Sequence, residues 1–325
     1  MIADRFAGVE RIPTRNAYGQ ALVELGRVDP RVVVFEADIS KSTQTYRFAE
    51  AFPDRFFNVG VAEQNMMAAA AGAATCGNIA FVSTYAVFGS MRACEQLRTS
   101  VAYPKLNVNV AVSHAGLTAY DDGVTHQAVE DMGIVRTIPN MTVVQPCDGP
   151  STRKTVLAAV EIDGPVYIRL TRIGMPTIYP ADFDFEIGRA IRLREGKDVT
   201  IVAVGDMVCQ ALLAADELAA EGIEADVLDM HTIKPLDETA LLESAAKTRA
   251  VVTAEDHNIL NGLGSAVAET LGETLPTPMR RIGLRDTFGE SGGYEELLKH
   301  FGLSAWHVAN AARGVIERKK SASRT

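Results

Sequence analysis

What this chain lacks narrows it first. Its four cysteines, Cys76, Cys94, Cys147 and Cys209, show neither metal-ligand spacing nor paired clustering. That excludes a disulfide scaffold or a cysteine metal site and leaves reduced thiols. Positive charge is short: 32 Lys and Arg against 41 Asp and Glu give a net charge of −9. With no basic stripe, nucleic acid is excluded as a partner. No run approaches the roughly 20 apolar residues of a membrane span. The stretch from Met1 to Phe6 has no apolar signal core, so no membrane role is expected and the cytoplasm is the expected location.

What is present is an ordinary globular composition, 47% hydrophobic and 22% charged over 325 residues, long enough for two cores. Apolar runs at 32–36, 56–59, 79–83, 106–112, 142–145 and 166–170 alternate with helical stretches. This alternation predicts an α/β fold, a mostly parallel sheet flanked by helices on both faces. Residues 173–186 then hold Pro176, Pro180 and an Asp-Phe-Asp-Phe-Glu run with no helical period, and read as a linker. The alternation restarts at 199–204, 225–230 and 251–255. The expected division is a first domain over 1–175, a linker over 176–188, a second α/β domain over 189–318 and a solvated basic tail over 319–325.

The segment Phe57-Asn-Val-Gly-Val-Ala-Glu-Gln-Asn65 places Glu63 at the mouth of an Ala-rich helix. A carboxylate there can simply complement the helix dipole. The apolar flanks, Phe56, Phe57, Val59 and Val61 before it and Met66 and Met67 after it, favour a buried carboxyl with a raised pKa, suited to proton exchange near neutrality. About fifty residues on, Ser113 to Gln127 carries His114, Asp122 and His126, so that two of the chain's six histidines lie in one loop after a strand. Strand ends are where α/β proteins place ligand-binding groups. The alternative is a satisfied loop in which Asp122 caps a helix beginning near Val124. Between these segments Tyr85, Phe88 and Met91 recur at a spacing of three, which as a helix stripe is either core or the wall of a cleft able to stack a flat heterocycle.

Taken in order, Gly60-Val-Ala-Glu-Gln-Asn65, Thr84-Tyr-Ala-Val-Phe88, His114-Ala-Gly-Leu117 and Asp122-Gly-Val-Thr-His-Gln127 resemble the pyrimidine-binding domain of transketolases. The likeness spans nearly the whole chain, including Asp229-Met-His-Thr-Ile-Lys-Pro-Leu-Asp237 in a transketolase-like C-terminal domain. It implies thiamine diphosphate as cofactor, with Glu63 contacting the aminopyrimidine N1′ and activating the cofactor, Phe88 stacking the ring, and Tyr85, Met91 and Asp38 completing the cofactor site. A carboxyl at N1′ favours the imino tautomer, whose 4′ nitrogen can take the thiazolium C2 proton. The same resemblance puts His126 on the reacting oxygens, Asp122 on a substrate hydroxyl, and Arg15, Ser42, His114 and Arg172 at a sugar phosphate. The guanidinium forks suit phosphate.

Transketolases also have a diphosphate-binding domain with Gly-Asp-Gly and a downstream Asn. Here Gly205-Asp206 continues as Met-Val-Cys, and Gly262-Leu-Gly264 is a bare repeat. The resemblance therefore implies the C-terminal half of a split transketolase. A separate N-terminal subunit would hold the diphosphate and Mg²⁺ or Ca²⁺, in a two-plus-two heterotetramer acting on sugar phosphates. The competing readings are the β subunit of a 2-oxo acid dehydrogenase E1, a deoxyxylulose-phosphate synthase and a noncatalytic subunit of the same fold. The His-Ala-Gly-Leu and Asp-Gly-Val-Thr-His-Gln runs favour transketolase. Met91 and Ala115-Gly116 depart from the common pattern and leave the acceptor sugar open. Glu255-Asp256-His257 is expected to be structural or interfacial.

Overall fold

The computed structural model describes residues 5–322. The strands among these residues are β1 (Arg11–Pro13), β2 (Val32–Glu36), β3 (Phe56–Asn58), β4 (Ile79–Tyr85), β5 (Val108–Ser113), β6 (Thr142–Val144), β7 (Val166–Arg169), β8 (Gly174–Pro176), β9 (Ile191–Arg194), β10 (Val199–Ala203), β11 (Ala225–Asp229), β12 (Thr232–Lys234), β13 (Val251–Asn258) and β14 (Met279–Leu284). The first domain is a seven-stranded sheet in the order β12-β6-β7-β5-β4-β2-β3. Every neighbouring pair is parallel except β12 with β6. Helices cover both faces, so β2, β5 and β7 are buried along their whole length and are predominantly apolar on both faces, with Glu36, Asn109, Ser113 and Arg169 as buried polar exceptions.

The second domain is a five-stranded sheet, β14-β13-β10-β11-β9, antiparallel only where β9 joins β11. Both domains are thus mostly parallel sheets flanked by helices. Among the described residues no helix is long and apolar enough to cross a membrane.

Two features depart from expectation. β12 comes from the second domain, yet pairs with β6 and forms the edge of the first domain's sheet. Lys234 fastens it, its Nζ donating to the carbonyls of Arg136 (2.9 Å) and Ile138 (2.6 Å). The described part of the expected basic tail, residues 319–322, is instead helix, the end of Ala305–Ala322, and Lys319 Nζ donates to the Thr248 carbonyl at 2.6 Å. Residues 323–325 lie outside the described residues. At the end of the expected first domain β8 pairs antiparallel with β1, and within the expected linker Tyr179 stacks on Phe183 at 4.2 Å.

A buried polar network joins the domains. Arg169, fully buried, donates from Nε to Asp131 (2.8 Å), from Nη1 to Gln145 (3.0 Å), and from Nη2 to the carbonyls of Ala128 and Asp256 (2.8 and 3.0 Å). A buried guanidinium is tolerated only when so completely paired. The Glu255, Asp256 and His257 cluster belongs to this interior. Glu255 accepts from the backbone of Leu263 and Gly264, Asp256 accepts from Leu117 N, and Gly133 N donates to His257. Gly116, at φ +55°, lies so close to Asp256 that a Cβ would sit 2.3 Å from its carboxylate. Glycine alone permits that backbone approach.

Candidate active site

The functional side chains gather at the carboxyl ends of β2, β4, β5 and β7, the edge where open α/β sheets bind ligands. Tyr85 is the last residue of β4, and His114 follows the last residue of β5 in a left-handed conformation, φ 61°. Arg172 follows β7. Arg15 is the second residue of the helix Thr14–Val28, docked beside Arg172 because Thr171 N donates to Thr14 Oγ1 (2.7 Å) and Arg15 N to the Thr171 carbonyl (3.4 Å).

One half of the site is cationic. Arg15 Nη1 donates to the Ser42 carbonyl at 3.0 Å and stands 3.4 Å from His114 Nε2. Arg172 Nη1 reaches Asp121 (2.6 Å), Asp122 (3.1 Å) and the Ala119 carbonyl (3.1 Å), with its guanidinium over the Tyr120 ring. Tyr120 is strained, at φ 29° and ψ −93°, a kind of strain that clusters at functional sites. Burial, then the charge of Arg172, lowers the Arg15 pKa. Burial, then Arg15, Arg172 and His126, push His114 down to about 3, so its imidazole is neutral at physiological pH. Asp122 Oδ2 lies 4.0 Å from His114 Nε2.

The other half is aromatic and acidic. The Tyr85 ring lies 4.1 Å from His114, 5.6 Å from His126 and 6.0 Å from Phe88, and Phe88 meets His126 edge-on at 5.5 Å. His126 Nδ1 is 2.9 Å from Thr125 Oγ1. Glu63 begins the helix Glu63–Thr75 and is 2% exposed. Its Oε2 receives Arg92 Nη1 at 2.8 Å, and the same guanidinium lies 4.3 Å over the Phe88 ring.

The structure therefore brings Arg15, Ser42, His114, Asp122, Arg172, Tyr85, Phe88 and His126 into one chain of contacts, with Glu63 linked to Phe88 through Arg92. Asp38, left-handed at φ 66°, accepts from Asn58 Nδ2 at 2.9 Å, and Met91 is 39% exposed; neither is joined to the cluster by a described hydrogen bond or ring contact. Three local expectations change. Tyr85 ends a strand, so Tyr85, Phe88 and Met91 are no helix stripe; Phe88–Arg92 is a π-helical turn, a distortion frequent at functional sites. No helix begins near Val124: Gly116–Asp122 is 3₁₀ and the next helix is Asp131–Arg136, so Asp122 is free to pair with Arg172. The segment before Glu63 is open, with Phe57 42% and Val61 71% exposed.

Two residues escape a sequence reading. Arg92 is one, although its place four residues after Phe88 was the available signal. Glu36 is the other: buried at the end of β2, it accepts from Ile39 N at 2.6 Å through Oε1 while Oε2 has no hydrogen-bond partner among the described residues, and burial raises it to about 7.

Residues 10–177 match the family described as transketolase, pyrimidine binding domain, and residues 188–308 the transketolase C-terminal domain. The chain belongs to the transketolase family. It is similar to a 6-deoxy-6-sulfo-D-fructose transketolase subunit of a Clostridium species, 48% identical over 94% of this chain and 95% of that one. A putative transketolase C-terminal section of Methanocaldococcus jannaschii is 47% identical over 94% and 96%. Among solved structures, a split-gene transketolase titled an inactive beta4 tetramer superposes with a TM-score of 0.89 at 53% identity, covering 94% of this chain and 99% of that one. The chain thus carries the pyrimidine-binding and C-terminal domains of the transketolase family and resembles proteins of the split type over nearly its whole length; the family implies thiamine diphosphate.

Proposed function

We propose that this chain supplies the pyrimidine-binding and substrate-binding half of a two-chain transketolase, which moves a two-carbon ketol unit from a ketose phosphate to an aldose phosphate. The observation that carries the reading is the juxtaposition, at one sheet edge, of the Arg15, His114 and Arg172 cluster with the Tyr85, Phe88 and His126 rings. An anion and a flat heterocycle are thereby accommodated side by side.

The residues fit the cofactor's aminopyrimidine. A planar, hydrogen-bonding group already lies between the Phe88 ring and the Glu63 carboxyl, in the form of the Arg92 guanidinium. When bound, thiamine diphosphate supplies the electron sink for breaking and making the carbon–carbon bond. Glu63 would hold a proton at N1′, Phe88 would stack the ring, and Tyr85, Met91 and Asp38 would close its surroundings. His126 would exchange protons with substrate oxygens. Asp122 would read a hydroxyl, while Arg15, Arg172, neutral His114 and Ser42 would hold the substrate's anionic end. Arg172, now clamped by Asp121 and Asp122, would exchange carboxylate for substrate oxyanion.

We assign the diphosphate and its Mg²⁺ or Ca²⁺ to a separate N-terminal subunit, in a two-plus-two assembly, a reading supported by the likeness to subunits of split transketolases. We place the assembly in the cytoplasm. The Clostridium relative is named for a sulfonated ketose, so the anionic end could be sulfonate as well as phosphate. The test is affinity capture of the tagged chain from its native lysate. Recovery of a subunit with Gly-Asp-Gly and a downstream Asn, followed by ketol transfer in the reconstituted pair with phosphorylated or sulfonated ketoses, supports the reading. A captured pair without ketol transfer overturns it in favour of a noncatalytic subunit.

A further inference from the structure

We propose that Arg92 is a built-in stand-in for the cofactor's aminopyrimidine, closing the binding face in the single chain and swinging out when the cofactor docks. The inference rests on the roles proposed above for Glu63 and Phe88. Arg92 makes both contacts assigned to the pyrimidine: Nη1 donates to Glu63 Oε2 at 2.8 Å, and the guanidinium carbon lies 4.3 Å from the Phe88 ring centroid. A guanidinium is flat, carries hydrogen-bonding nitrogens at its edge and stacks through its face, as an aminopyrimidine does. Two such groups do not fit one ring face and one carboxyl at once.

The two occupants demand opposite states of Glu63. Guanidinium has only donors, so Arg92 favours an ionised carboxylate. Pyrimidine N1′ presents a lone pair and takes a hydrogen bond only from a protonated carboxyl.

The arrangement also explains why the arginine is there. Glu63 is 2% exposed, and a carboxylate so deep without a counter-charge is costly. The cost of departure is therefore concentrated in the Glu63 pair, which the cofactor's own hydrogen bond replaces. Arg92 is 47% exposed at its side chain, and its one described side-chain hydrogen bond is to Glu63. The long arm extends into water without breaking another described hydrogen bond.

Two measurements test this. First, the full chain and its Arg92→Ala, Glu63→Gln and double variants are melted alone. The proposal expects the double variant's midpoint to fall by less than the sum of the single variants' shifts; strictly additive shifts overturn it. Second, thiamine diphosphate with Mg²⁺ is titrated calorimetrically into the complex with the diphosphate-binding subunit. Arg92→Ala should bind roughly fivefold tighter than wild type, because the fraction of chain in the open state rises, with Arg92→Lys in between. Unchanged or weaker binding overturns the proposal and makes Arg92 inert or a direct cofactor ligand. If the wild-type complex binds no cofactor at all, the site reading falls and this inference falls with it. A merely structural arginine would lower the melting midpoint without tightening the cofactor.

Discussion

Arg15 Nη1 stands 3.4 Å from His114 Nε2, and because a guanidinium can only donate, the imidazole lone pair lies on Nε2 and the proton on Nδ1. That proton donates to Ser113 Oγ, 2.9 Å away. The tautomer of His114 is therefore set by its neighbours, and it is a neutral hydrogen-bonding group set between cations.

The first consequence is spectroscopic. With its pKa pushed down to about 3 by burial and by Arg15 and Arg172, His114 should show flat ring-proton NMR shifts from pH 5 to 8. The sign for stability follows. The unfolded imidazole titrates near 6.5 and the folded one far below, so its contribution is complete above that value and is lost as pH falls toward 3. A His114 midpoint inside pH 5 to 8 contradicts the assigned environment.

Arg172→Ala should raise KM for a phosphorylated ketose by about tenfold or more, the worth of one charge-assisted hydrogen bond, and leave a nonphosphorylated analogue nearly unchanged. Equal losses on both substrates would remove Arg172 from the anion site.

Glu63→Gln should leave the two-subunit assembly intact, because glutamine keeps the size of the side chain. Turnover should fall by about 100-fold or more, since an amide cannot exchange the proton at N1′. Gel filtration and ketol-transfer assays on the same sample decide it, and near-normal turnover sinks the role.

Glu36→Gln should stabilise the chain at high pH. The folded carboxyl is raised to about 7 from 4.5, first by burial; the native state holds the proton longer than the unfolded one, so stability falls as pH rises from 4.5 through 7. Glutamine keeps the acceptor for Ile39 N and cannot ionise. Denaturant melts should show a gain of about 1 to 3 kcal/mol at pH 8 that disappears at pH 4. A gain that is the same at both values refutes the burial argument.

Much of this was legible in the sequence because burial on both faces writes itself as continuous apolar runs: the strands Val32–Glu36, Ile79–Tyr85 and Val108–Ser113 each fall within two residues of expectation. β12 was not, since Thr-Ile-Lys is too short to carry a period and its partner lies in another domain. Tyr85 was misplaced because strand β4 runs two residues past its apolar segment, and a spacing of three then imitates a helix face. The motif residues Glu63, His114 and His126 stood out by type and loop position. Arg92 did not, because a surface-like arginine reveals its partner only when the π-helical turn brings it over Phe88.

The strand exchanged at Thr232–Lys234 bears on how this protein can be divided. A fragment ending at residue 188 would leave β6 with Val143 and Val144 on an open edge, a template for pairing with another copy. The complementary fragment would carry a strand with no sheet to join. The two domains are tied through the linker, through the shared sheet and through the buried Arg169 network, so a cut between them exposes interior on both sides.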